Sequence, residues 1–76
     1  MQTIATLQKG EKGIIQEFDI ARVPLKLIEM GCLPGNTVEL VQFAPFQDPM
    51  YININDCYVA IRKETAIHIS IKKITQ

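Results

Sequence analysis

The chain has 76 residues and no net charge, with eight basic and eight acidic side chains and an apolar content of 47%. A chain this short buries only about 60% of the surface its unfolded form exposes, which excludes a second domain or an elaborate catalytic cleft. Composition excludes disorder, and a neutral total argues against a protein that lives on nucleic-acid phosphates, where a basic excess is needed.

The charge is unevenly spread. Residues 1–57 carry four bases against seven acids, whereas residues 58–76 carry Arg62, Lys63, Lys72 and Lys73 against Glu64 alone. Such a basic stretch is either a solvated strand face or a docking patch for an acidic partner. Twelve Ile and four Val stand against five Leu and five Ala. Branching at Cβ stiffens χ1 and suits a pleated surface, so a mostly-β domain spanning residues 1–76 is expected. Cys32 and Cys57 have no second pair beside them, unlike the cysteines of small secreted scaffolds. No apolar run is long enough to span a bilayer, and the opening Met1-Gln2-Thr3-Ile4 lacks the features of a signal peptide. A cytoplasmic setting with free thiols is the expectation, without membrane insertion.

In chain order, residues 3–7 read as a first strand and Gln8 to Gly13 as a polar turn with two glycines. Residues 13–19 carry Ile14, Ile15 and Phe18 at imperfect alternation, a strand with a bulge or bend. Residues 23–30 are the one convincing helix. Pro24 suits its first position, Leu25, Leu27 and Ile28 can share a face, and Gly31 stops it. It is barely two turns long and needs packing to exist. Leu33-Pro34-Gly35-Asn36 is a turn, with Pro setting φ and Gly tolerating a positive φ.

Residues 37–44 form a strand with Val38 and Leu40 on one face. Pro45 and Pro49 then bracket a loop. Residues 50–55 alternate most cleanly, Ile52 and Ile54 facing inward; Asn55-Asp56 is turn chemistry, and residues 57–62 return with Val59 and Ile61 inward. Residues 63–66 read as a single helical turn or bend. Ile67, Ile69 and Ile71 then alternate with His68, Ser70 and Lys72 in a last strand. Five or six short strands and one short helix are best accommodated by a small, strongly bent barrel, which would also remove exposed strand edges.

Little here can carry catalysis. A nucleophile–base pair would need Cys32 or Cys57 beside His68, which alternates with inward isoleucines and so faces solvent. No glycine-rich phosphate loop follows a strand. Ligand motifs of closed metal sites are absent, leaving His68 as a weak metal candidate. Five aromatic residues without a basic groove make an oligonucleotide-binding barrel the least supported reading. Phe46 stands out because it sits mid-loop between two prolines. It either folds back as a lid or presents itself to a partner.

Three segments taken together resemble the FeoA family. They are Leu27-Ile28-Glu29-Met30-Gly31-Cys32-Leu33-Pro34-Gly35-Asn36-Thr37-Val38-Glu39, the double-proline loop Ala44 to Met50, and Val59-Ala60-Ile61-Arg62-Lys63-Glu64-Thr65-Ala66-Ile67-His68-Ile69. With Leu7, Gly10 and Gly13-Ile14-Ile15 in front, the resemblance runs from Leu7 to Ile71. It implies an SH3-like β-barrel that assists FeoB, a membrane permease with a cytoplasmic GTP-hydrolysing domain, by protein contact and without a cofactor. The same domain ends certain iron-dependent repressors; with no DNA-reading helix-turn-helix ahead of it, a freestanding copy is expected here. On this reading Gly31, Pro34, Gly35, Pro45 and Pro49 shape turns. Leu25, Phe46, Gln47, Met50, Arg62 and Lys63 are the candidate partner contacts. Gln47 stands where the family often has glycine, a departure from that loop's turn pattern, and Asn55-Asp56 where a glycine is common; Asn55 and Asp56 both tolerate a positive φ, so a tight hairpin is expected there. A metal-binding or metal-sensing domain is the alternative, and self-association through an uncovered edge strand stays open.

Overall fold

The structure, a computed structural model, describes residues 1–74. The isoleucine-rich segments form five strands: β1 (Lys12–Phe18), β2 (Thr37–Phe43), β3 (Met50–Ile54), β4 (Cys57–Ile61) and β5 (Ile69–Lys73). All pair antiparallel, in the order β4-β3-β2-β1-β5. The register of β1 against β5 shifts between Ile15 and Glu17, and that of β2 against β3 between Leu40 and Gln42. Each bulge adds local twist and lets a short strand bend, which curls five strands around one core. The imperfect alternation expected in residues 13–19 is therefore a bulge.

The core is built by strand parity. Ile15, Val38, Leu40, Met50, Ile52, Ile54 and Ile69 are fully buried on the concave face. Residues 3–7, expected as a strand, instead make a 3-10 turn at Ile4–Thr6. Threonine side chains explain the difference by offering the backbone local partners. The Thr3 N–H donates to Thr6 Oγ1 at 3.1 Å, and that hydroxyl donates to the Thr3 carbonyl at 2.8 Å. The turn still points Ile4 and Leu7 into the core, both fully buried.

The expected helix is α1 (Leu25–Glu29). Pro24 precedes it rather than opening it, with ψ of 138° and its carbonyl accepting the Leu27 N–H at 3.0 Å. Gly31 stops it at φ +108°, and Gly35 holds φ +94° in the turn before β2. Only Leu27 of α1 is buried; Ile28 is half-buried, and Leu25 stands 69% exposed, so the three do not share a face. Residues 63–66 form a second helical turn, α2 (Lys63–Ala66). Because α2 ends at Ile67, that side chain lies before β5 and is exposed, not inward as its alternation suggested.

The sheet curls, yet among the described residues no ladder joins β4 to β5. α2 bridges their ends, and residues 2–3 cover β5: Thr3 bridges Ser70, and the Ile71 N–H donates to the Gln2 carbonyl at 3.0 Å. Among the described residues no strand pairs with the outer edge of β4. The expectation that closure removes every edge thus fails at one strand.

Candidate functional site

The loop between β2 and β3 is where the sequence expectations converge. Pro45–Gln47 form a 3-10 turn in which Phe46 and Gln47 both take positive φ, +71° and +70°. A left-handed backbone is costly for residues with a Cβ and persists only where surroundings enforce it. Enforcement is visible on both sides. The Ala44 N–H donates to the Pro49 carbonyl at 2.9 Å, closing the loop neck, and the Gln47 N–H donates to the Ala44 carbonyl at 2.9 Å. Asp48 ties the far side: its Oδ1 accepts the Lys63 N–H at 3.0 Å, and its Oδ2 lies 3.9 Å from Arg62. The Asp48–Pro49 peptide is cis.

This pinned loop holds Phe46 98% exposed. Of the two roles open to it, lid or presented side chain, the structure has the second. Exposing a whole phenyl ring to water is unfavourable, by roughly 1.5–3 kcal/mol relative to burying it. Gln47 is exposed beside it, and Arg62 lies at the end of β4 with its side chain turned to solvent and Asp48. Lys63 is more engaged: its Nζ stands 5.4 Å from the centroid of the Phe43 ring, a cation–π contact that anchors the half-buried side chain. These residues form one neighbourhood through Asp48. Leu25 is exposed on α1.

Met50 is the correction. It is fully buried and pairs in register with Phe43 and Ile61, so it belongs to the core and offers no surface to a partner. Its parity with Ile52 and Ile54 already put it on the inward face. Asp48, which pins the loop through its contacts with Arg62 and Lys63, went unrecognised; nothing in its sequence position marks a contact with a segment 15 residues away. Tyr58, 73% exposed on β4, was legible as the outward neighbour of Val59 but was not singled out.

The remaining chemistry is sparse. Cys32 is fully buried, and desolvation pushes its thiol up to about 11, the opposite of an activated nucleophile. Cys57 is a free, half-buried thiol. His68, half-buried rather than solvent-facing, lines a shallow groove with Glu17, Phe18, Asp19 and Ser70. Among the described residues no three His, Cys, Asp or Glu side chains gather closely enough to hold a metal ion. No described helix is long and apolar enough to cross a membrane.

The FeoA domain family matches residues 2–73. The chain belongs to the FeoA family. A fusion of Fe(2+) transport protein A with the transporter FeoB from Porphyromonas gingivalis is 34% identical over 73 residues; these are 95% of this chain but only 9% of that protein. A crystal structure of an iron uptake regulatory protein, FeoA, superposes with a TM-score of 0.79 at 30% identity, covering 93% of each chain. The Stenotrophomonas maltophilia FeoA, solved with zinc and described as an SH3 domain protein, gives 0.78 at 20% identity, over 95% of this chain and 91% of that one. The FeoA fold is thus the SH3-like architecture that the three motifs implied, and the family links the chain to ferrous iron transport.

Proposed function

We propose that this FeoA-family protein is a non-catalytic accessory of ferrous iron uptake that docks on the cytoplasmic part of a FeoB-type permease. The observation that carries the reading is Phe46, an aromatic side chain held almost wholly in water by a loop with two left-handed residues. A fold keeps such a costly arrangement where the ring is buried by a partner. Support for the partner comes from the P. gingivalis protein, in which the two components are one polypeptide. Phe46 and Gln47 make the central contact, Arg62 and Lys63 add a basic rim, and Leu25 extends the surface from α1. The alternatives have less behind them: His68 shares a shallow groove with Glu17 and Asp19, but among the described residues no three ligands gather closely enough to hold a metal ion, and Phe18 and Phe43 pack against the core instead of offering a stacking platform.

The test is an NMR titration of the labelled protein with the cytoplasmic region of its cognate permease, with and without a GTP analogue. Shifts concentrated at residues 45–47 and 62–63, lost in Phe46→Ala, are expected. Shifts elsewhere, or none at high concentration, would overturn the assignment.

A further inference from the structure

The outer edge of β4 is a separate feature. β3 and β4 join through Asn55 and Asp56, both at positive φ, so Ile54 and Cys57 are the hydrogen-bonded pair that closes a two-residue hairpin. In an antiparallel ladder such pairs alternate. Val59 and Ile61 therefore also bond toward β3, while the N–H and C=O groups of Tyr58 and Ala60 point outward. Among the described residues β4 has no second neighbour.

Alongside that edge runs a groove of about 460 Å³ between β4 and α1. Leu27, Met30, Val59 and Ile61 contribute its apolar surface. The two charged side chains lining it, Lys26 on α1 and Arg62 at the end of β4, are both basic. An extended chain laid against β4 would satisfy the outward backbone groups of Tyr58 and Ala60 and place alternate side chains in the groove. The basic pair favours an extended occupant that brings acidic side chains to the rim of the groove.

We infer that the β4 edge is a strand-addition site for an extended segment of a partner protein that alternates apolar and acidic residues. This goes beyond docking through Phe46 and does not depend on it, because backbone pairing, not a presented ring, supplies the contact.

The probe is an acetylated, amidated heptapeptide alternating valine with glutamate, titrated into the labelled full chain. Expected are saturable shifts at Tyr58 and Ala60 and at least tenfold slower hydrogen exchange of their amides. A version N-methylated on alternate residues should bind at least tenfold more weakly, and so should a version with lysine for glutamate. Lys26→Glu, an exposed position, should weaken the acidic peptide and favour the lysine one. Four results would each overturn the proposal: no binding at millimolar peptide, shifts that bypass Tyr58 and Ala60, indifference to N-methylation, or concentration-dependent pairing of the free protein through β4. All can be obtained whatever becomes of Phe46 and the permease.

Discussion

Phe46 combines two unfavourable circumstances, an exposed ring and a left-handed backbone, and they can be separated by substitution. Phe46→Gly removes the ring and about 1 kcal/mol of backbone strain. Its thermal midpoint should rise slightly in calorimetry while binding to the permease region falls at least tenfold. Phe46→Ala should lose the same binding with little change in midpoint. A large loss of stability in either would place the ring in the fold and not at an interface. The cysteines differ in the opposite sense. Iodoacetamide at pH 8 should modify Cys57 in the native protein and spare Cys32 until the chain unfolds, as read by mass spectrometry. Because the Cys32 thiol is raised to about 11 in the fold against 9.0 unfolded, the unfolded thiol loses its proton first. Stability from this group is therefore intact below pH 9 and declines as pH climbs toward 11. A Cys32→Ala variant should show a smaller decline over that window in urea titrations.

Turns and short helices show how far local rules reach. Gly31 and Gly35 both sit at positive φ, yet a side chain would meet different surroundings. A Cβ at Gly31 would stand 2.9 Å from Asn55 Cβ, whereas at Gly35 nothing lies within 4 Å. Gly35→Ala should cost about 1 kcal/mol through the backbone alone, and Gly31→Ala distinctly more, measured by denaturant midpoints. Reading φ from glycine and proline succeeded here because the constraint is local. The bulge in β1, helix α1 and the Asn55-Asp56 hairpin were legible for the same reason. The loop conformation was not, since Gln47 adopts its positive φ under the hold of Asp48 on Lys63, a contact between distant segments. Residues 3–7 misled because the Thr6 hydroxyl bonds both backbone groups of Thr3, a choice that alternation of apolar residues does not register. Leu25 and Met50 show the complementary limit: Met50 was expected at the partner surface although its parity with Ile52 and Ile54 puts it inward, and two turns of helix were too few to orient Leu25.

The whole domain rests on one cluster in which isoleucine predominates. Ile52, fully buried and central in β3 between β2 and β4, has neighbours on every side. Ile52→Ala should cost about 2–5 kcal/mol, a large share of the roughly 5–15 kcal/mol that holds a small domain together. Loss of cooperative thermal unfolding is the expected readout; a midpoint shift of only a few degrees would show that the barrel repacks. Removing residues 1–7 should be as severe, because it strips Ile4 and Leu7 from the core and uncovers β5 as well.

That N-terminal cover also brings residues 2 and 73 together in space. The Lys73 N–H donates to Gln2 Oε1 at 2.9 Å, so the first residues and the end of β5 meet on the barrel surface. A domain with touching ends can be spliced into a host polypeptide, or joined end to end and reopened at the exposed Pro34-Gly35 turn, without pulling its strands apart. Circular permutation at that turn should give a folded protein.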